Sequence, residues 1–321
     1  MLSTCRPSRL GAGRASVDKS FLALAPESFD QLRHRISSFR GSLAGTPGLR
    51  AAGLIATFLL WTLYCIGQVA AQTASSSAVD LELVIAVDVS LSMDLDEQQL
   101  QRDGYVAAFR DPELHRAIAN AGAYGRIAVI YMEWAGPTAQ KVIIPWTLID
   151  SPAAARAFAD RLAAQPITRE RLTSISSALR FAHGLLKNSR YSAPRRVIDV
   201  SGDGPNNAGP PVLEMRDALI AEGIVINGLP IMLKAPTPSF FDIPDLDQYY
   251  AGCVIGGPGA FMVPVMDIAE LKSAIRRKLL MEISWGTPPL RPLPAQADGE
   301  EPYDCLVGER QWRWYLDGAP N

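Results

Sequence analysis

Hydroxyl and carboxylate side chains alternate directly after an apolar run in the first half of the sequence. Asp88, Ser90 and Ser92 follow the run LELVIAV, and Asp203 follows a second run, RVIDVSG. Alternate residues of an extended segment point the same way, so the first three side chains can face one point. Carboxylate and hydroxyl oxygens are the ligands that hard divalent cations prefer, Mg²⁺ in particular. The spacing therefore predicts a cation site built from two strand ends.

The elements that must position these side chains alternate between strands and helices, which predicts a mostly parallel sheet. Two apolar runs, IAVIYMEW and QKVIIPWTLI, are separated by a short turn with Gly and Pro, and they predict an antiparallel hairpin. We therefore expect an α/β fold, with a doubly wound, mostly parallel sheet, one antiparallel edge strand and helices on both faces. Ligands of such sheets bind at the carboxyl ends of strands, where the strand order reverses. We therefore expect the ligand-binding side chains to lie directly after Val87 and directly after Val200.

A third loop could supply a further oxygen to the same point. Thr173 lies in the stretch RLTSISSAL, where a helix is predicted to begin. Taken singly, Asp88 could be a helix cap and the serines ordinary turn residues. Taken together, oxygen-bearing residues at three strand ends or helix starts favour a metal site.

A calcium loop of the EF-hand type is excluded at this position. Asp94 and Asp96 continue the alternation, but the motif requires Gly at its sixth position and Glu at its twelfth, where this chain has Met93 and Gln99. The two acids are instead predicted to form the solvated first turn of a helix, where negative charge is favourable. Asn206 and Asn207, beside the second acidic loop, are interpreted as turn residues.

The combined pattern resembles the von Willebrand factor type A domain over roughly residues 80–285. The similar features are a strand ending in Asp-x-Ser-x-Ser, a Thr before an Ala-Leu helix pair, and a strand followed by Asp-Gly. In that family such residues form the metal-ion-dependent adhesion site. The family usually has Gly before the Thr, whereas this chain has Arg171-Leu172, so the resemblance extends to Thr173 but does not fix the conformation of its loop.

The resemblance implies a role for each of the five oxygen-bearing residues. Ser90 and Ser92 would coordinate the metal directly, and Asp88 and Asp203 would often act through water. Thr173 would join directly or through water. The sixth coordination position would be left for an Asp or Glu of a partner protein. The expected metal is Mg²⁺, with Mn²⁺ or Ca²⁺ as alternatives.

The cysteines and the C-terminal region give a narrower resemblance. The stretches YYAGCVIGGPGAFM and DCLVGERQWRWYL are similar to a bacterial family of exported proteins that carry this domain and whose function is uncharacterised. Cys5 and Cys65 would be lost with a leader, which would leave Cys253 and Cys305. An oxidising compartment would favour a disulfide between these two, and the alternative is two unrelated buried thiols. The resemblance implies that the pair is a feature of the family.

The distribution of charge and apolar residues predicts five regions. Residues 1–50 are a basic extension whose start could be misassigned, and residues 51–71 are an uncharged apolar segment that reads as a signal peptide or a membrane anchor. Residues 72–79 are a linker, residues 80–286 the von Willebrand factor A-like domain, and residues 287–321 a disulfide-tethered tail. We expect a periplasmic or secreted protein, anchored in the inner membrane through 51–71 if the leader is not cleaved.

Composition and motifs limit the classes of function that we expect for this protein. The formal net charge is -2, and a mildly acidic body is unsuited to nucleic acid. We expect an exported, metal-dependent protein-binding module that is not an enzyme. The alternative is a metal-dependent hydrolase or phosphatase using Asp88 and Asp203. Phosphoaspartyl enzymes need a second carboxylate two residues after the nucleophile, where this chain has Ser90. His115 and His183 are predicted to be surface or packing residues.

Overall fold

A computed structural model describes residues 78–233, 243–284 and 303–318. The predicted extension 1–50, the apolar segment 51–71 and most of the linker lie outside the described residues, as does the first part of the tail. Among the residues that the structure does describe, no helix is long and apolar enough to cross a membrane.

Five strands form one sheet in the order β3-β2-β1-β4-β5. The strands are β1 Leu81–Asp88, β2 Ile127–Trp134, β3 Gln140–Ile149, β4 Arg196–Gly202 and β5 Val225–Pro230. All neighbouring pairs are parallel except β2 with β3, which is the predicted antiparallel hairpin. All eight residues of β1 are buried, as expected for a central strand covered on both faces. The strand order reverses at β1 and β4, so their carboxyl ends flank the switch point.

Eight α-helices occur in the described residues. They are α1 Leu95–Arg110, α2 Pro112–Ala119, α3 Pro152–Ala163, α4 Ile175–Lys187, α5 Val212–Ala221, α6 Leu246–Tyr249, α7 Leu271–Ser284 and α8 Val307–Leu316. Side-chain oxygens of Asp94, Asp111 and Ser151 cap the first turns of α1, α2 and α3 by accepting backbone N–H bonds. Asp94 and Asp96 lie in an exposed helix start, as predicted from the sequence.

Helices cover both faces of the sheet, and a large hydrophobic core lies on each face. One core contains side chains of α1, α3 and α7, such as Phe109, Phe158 and Leu279. The other contains side chains of α4, α5 and the 246–254 region, such as Leu179 and Leu219. This confirms the predicted α/β class and the von Willebrand factor type A-like arrangement of a doubly wound sheet with one antiparallel edge strand.

The two edge strands of the sheet, β5 and β3, differ in what lies along their outer sides. Along β5, the segment 256–265 adds backbone hydrogen bonds, including Gly228 N to Phe261 O at 3.0 Å and Val263 N to Gly228 O at 3.0 Å. Along β3, Pro145 is exposed and falls where the register with β2 shifts. Proline has no backbone N–H and is tolerated in a sheet mainly at edges and bulges.

A group of charged side chains is buried between β4, β5 and α7. Lys278 forms ion pairs with Asp199 and with Glu282, the second at 2.5 Å, and Asn227 Nδ2 donates to Glu282 Oε1 at 3.2 Å. None of these four side chains is more than 2% exposed. Burial, and then the nearby charge of Asp199, raise the pKa of Glu282 to about 7.

Candidate metal site

Four of the five predicted ligands form a continuous chain of hydrogen bonds at the ends of β1 and β4. The backbone N–H of Ser90 donates to Asp88 Oδ1 at 2.7 Å, and the hydroxyl oxygens of Ser90 and Ser92 lie 2.8 Å apart. The Ser92 hydroxyl then donates to Asp203 Oδ1 at 2.6 Å. The acid of the second strand end therefore lies against the hydroxyls of the first, as the strand order predicts.

Asp88 is the most buried member of this chain. Its side chain has no exposed surface, and its second oxygen, Oδ2, has no hydrogen-bond partner among the described residues. Burial, together with the negative charge of Asp203, raises the pKa of Asp88 well above its usual range. A buried carboxylate beside a second carboxylate is costly unless a positive charge or a proton compensates it.

Gly202 and Tyr250 face the unpaired oxygen of Asp88. A Cβ atom at Gly202 would lie 2.9 Å from Asp88 Oδ2 and 3.0 Å from the Tyr250 hydroxyl, so only glycine leaves both oxygens in place. The Tyr250 hydroxyl is also buried without a partner in the described part of the chain. Burial and the charge of Asp88 raise the pKa of Tyr250, which keeps this phenol protonated. Tyr250 begins a π-helical turn, Tyr250–Val254.

Side chains from other elements fix the loop that carries the two serines. Gln98 Nε2 donates to the carbonyl oxygen of Ser90 at 3.3 Å. The guanidinium of Arg169 donates to the carbonyl oxygens of Leu91 at 2.7 Å and Met93 at 2.5 Å. Satisfied backbone carbonyls hold the loop in one conformation, so the hydroxyls of Ser90 and Ser92 are positioned before any ligand binds.

Thr173 lies in the neighbouring loop and is almost completely buried. This loop is joined to the first by the Glu170 N–H, which donates to Val89 O at 2.9 Å. The hydrogen bonds that connect Thr173 with the Asp203 loop involve its backbone: its N–H donates to Asn207 Oδ1, and its carbonyl accepts from Asn207 N, both at 2.9 Å. The structure thus brings the three predicted loops together.

Leu172, before the threonine, has a left-handed backbone with φ of 70°. This conformation is typical of glycine, and a leucine there stores on the order of 1–2 kcal/mol of strain. The family that the sequence resembles usually has glycine before the threonine, and glycine adopts a left-handed backbone without this strain. Gly136 makes room for it, because a Cβ there would lie 2.6 Å from Arg171 O.

The sequence indicates a turn residue at Asn206, and the structure adds that its side chain is buried and links several elements. Its Oδ1 accepts from Ser176 N at 3.1 Å, and its Nδ2 donates to Glu309 Oε1 at 2.7 Å. Its backbone N–H donates to the Tyr249 hydroxyl at 3.1 Å. A loop-borne asparagine gives no local sequence pattern for such a role, and neither Tyr249 nor Glu309 is near it in the chain.

The predicted disulfide between Cys253 and Cys305 is present, with a Cα–Cα distance of 5.5 Å. It joins the Tyr250–Val254 turn to the segment before α8. The ring of Tyr303 also packs edge-on against Tyr249, with centroids 5.9 Å apart. The tail is therefore attached beside the loop that carries Asp203.

The donor set fits a hard divalent cation. The predicted set consists of two carboxylates and three hydroxyls, all oxygens, and it includes a buried carboxylate oxygen that has no hydrogen-bond partner in the described part of the chain. Within the described ranges, no group of three or more His, Cys, Asp or Glu side chains surrounds a common point. His115 and His183 make contacts elsewhere, with Phe109 O at 2.8 Å and Glu222 at 2.9 Å.

Comparison with known proteins gives one family match and several distant structural ones. A family model described as Protein of unknown function (DUF1194) matches residues 78–287. No match was found among curated proteins.

The solved structures that match include three whose identity with the chain is low. Proximal thread matrix protein 1 from the mussel byssus, with a zinc occupied MIDAS motif, is 13% identical with a TM-score of 0.47, and the match covers 64% of this chain and 48% of that one. The pilus adhesin SpaC from Lactobacillus rhamnosus GG is 10% identical with a TM-score of 0.48, and the match covers 64% of this chain and 31% of that one. A von Willebrand factor type A structure from Catenulispora acidiphila is 16% identical with a TM-score of 0.42, and the match covers 64% of this chain and 43% of that one. The chain thus spans about half the length of these proteins, or less.

Proposed function

The chain belongs to the family described as Protein of unknown function (DUF1194), and from that premise we propose that it is an exported protein-binding module that depends on a divalent cation. The cation, Mg²⁺ or alternatively Mn²⁺ or Ca²⁺, is bound at the ends of β1 and β4. A partner protein is captured when one of its Asp or Glu side chains completes the coordination shell. The observation that carries this proposal is the buried Oδ2 of Asp88, which has no hydrogen-bond partner among the residues that the structure describes and lies near the carboxylate of Asp203.

The residues that would hold the cation are Asp88, Ser90, Ser92, Thr173 and Asp203. A bound cation would supply a Lewis-acidic centre that attracts a carboxylate. Two carboxylates balance the charge of a divalent cation formally, but hydroxyl ligands leave it a strong attractor for a further anion. The protein positions the hydroxyls through Gln98 and Arg169, as described above, so little ordering is needed at the moment of binding.

Catalysis is the second candidate, and the burial of Asp88 counts against it. The Asp88 side chain has no exposed surface, whereas a nucleophile must contact the phosphorus atom of its substrate. The histidines His115 and His183 are held on α2 and α4 by contacts away from Asp88. Assays of the purified protein on generic phosphatase and esterase substrates test this alternative, and turnover that Asp88→Asn abolishes would favour an enzyme.

Isothermal titration with Mg²⁺ and Mn²⁺ tests the metal site. Asp88→Ala and Ser90→Ala should each weaken binding by about 100-fold or more, because loss of a residue that only supports a ligand already costs 10–100-fold. Asp96→Ala is the matched control: it removes an exposed carboxylate from the adjacent helix start and should leave affinity unchanged. Equal binding by the wild-type protein and Asp88→Ala would reject the site.

A pull-down from an envelope extract tests the partner. The wild-type protein should retain a binding protein in Mg²⁺ and release it in EDTA, whereas Asp88→Ala should not retain it. Replacement of acidic residues of the captured protein then identifies the carboxylate that reaches the metal. Capture that persists in EDTA would show that recognition does not use the metal.

A further inference from the structure

Asn206 connects the two loops of the site that are not carried by β1. Its side-chain oxygen accepts the backbone N–H and the hydroxyl of Ser176, at 3.1 and 3.3 Å, three residues beyond Thr173. Its own position is three residues beyond Asp203. Together with the two hydrogen bonds between Asn207 and Thr173, this buried side chain therefore holds the Thr173 loop against the Asp203 loop.

The C-terminal helix α8 fixes the side chain of Asn206. Asn206 Nδ2 donates to Glu309 Oε1 at 2.7 Å and to Pro210 O at 3.2 Å. With its oxygen committed to Ser176, all the polar atoms of this amide are used, so it has one favourable orientation. Without Glu309 the buried amide would lose a charged partner, and a charge-assisted bond is about twice as strong as a neutral one.

The backbone of α8 is packed directly on the same loop. A Cβ atom at Gly308 would lie 2.2 Å from Asn206 O and 3.0 Å from the Pro205 ring, so glycine is needed for this approach. The helix is tethered here by the Cys253–Cys305 disulfide, two residues before α8 begins. The opposite cysteine lies in the turn that follows Tyr249, whose hydroxyl accepts the Asn206 N–H.

We infer that α8 is a positioning element of the metal site: through Asn206 it holds the Thr173 and Asp203 loops at the spacing that the cation requires. This inference rests on the proposed function, and it adds that the tail, which lies outside the doubly wound sheet, determines how tightly the site binds. Release of α8 weakens metal binding although no ligand is removed.

The test uses full-length protein with changes at the α8 contact. Glu309→Ala leaves Asn206 Nδ2 without its acceptor, and Gly308→Ala forces the helix away from the loop. Each should weaken Mg²⁺ binding about tenfold, the lower end of the range for residues that orient metal ligands. Glu309→Gln keeps an oxygen acceptor and should restore affinity close to that of the wild type. Asp317→Ala removes an exposed carboxylate just past the end of α8 and is the matched control.

Hydrogen exchange in EDTA provides a second measurement that needs no metal. The backbone N–H groups of Thr173 and Ser176 should exchange faster in Glu309→Ala and Gly308→Ala, because their acceptors are Asn207 and Asn206. Wild-type affinity together with unchanged exchange at these two amides would overturn the inference, even if the variants unfold at a lower temperature. If the wild-type protein binds no metal, the proposed function fails, while the exchange comparison still decides whether α8 positions the loops.

Discussion

The surroundings of Glu282 predict how the stability of the protein changes with pH, in both direction and size. The folded protein raises its pKa from the ordinary 4.5 to about 7, because the side chain is fully buried and lies near Asp199. Between pH 4.5 and about 7 the unfolded chain loses this proton while the folded chain keeps it. Stability therefore falls as pH rises through this window, and the loss is complete above it.

The expected loss in the free energy of unfolding is about 3 kcal/mol at pH 8 and about 1 kcal/mol at pH 5. These values follow from 1.36 kcal/mol for each unit by which the folded and unfolded pKa values of Glu282 differ. Glu282→Gln replaces the acid by a neutral side chain of the same shape that still accepts from Lys278 and Asn227. The variant should match the wild type closely at acidic pH and be more stable than it at pH 8 by about that amount.

Urea unfolding in EDTA from acidic to mildly basic pH measures the difference, since EDTA removes any effect of metal. Glu270→Gln, an exposed acid in the turn directly before α7, is the matched control and should run parallel to the wild type. Parallel profiles for the wild type and Glu282→Gln would refute the conclusion that the folded protein holds a proton on this cluster.

Two further predictions concern the glycine beneath Asp88 and the disulfide. Gly202→Ala should abolish most Mg²⁺ binding in titration calorimetry, because the added Cβ displaces Asp88 Oδ2. Gly204→Ala is the control and should bind normally, because a Cβ there has no atom within 4 Å. Equal losses of affinity in the two variants would contradict the steric explanation. Replacing Cys253 and Cys305 by alanine should lower the free energy of unfolding by about 4 kcal/mol, from the loop closed over a separation of 52 residues, and an unchanged urea midpoint would argue against it.

Much of the fold is predictable from the sequence because its determinants are local. Capping residues next to proline fix the starts of α2 and α3, and apolar runs without polar alternation identify the central strands. The proximity of Asp88 to Asp203 is predictable for a related reason. Each residue lies at or just beyond the end of a strand, and parallel strands place their carboxyl ends at one edge.

The supporting residues are less predictable because their partners are distant in the chain. The contact of Asn206 with Glu309 spans 103 residues, and an asparagine after Gly-Pro has the composition of any turn. Tyr250 belongs to an aromatic pair that could pack in any core, and only the structure places its hydroxyl near Asp88. Leu172 has a left-handed backbone, which leucine rarely adopts, so residue propensities do not predict this conformation.

The arrangement of the sheet edges also governs how copies of this protein meet at high concentration. An open edge strand is a template for joining two sheets, which leads to self-association and aggregation. Pro145 removes a donor from the β3 edge and the register shift bends it, while the segment 256–265 occupies the β5 edge. In the described part of the chain both edges of the sheet are thus poor templates for strand addition, which disfavours self-association of this protein through its sheet.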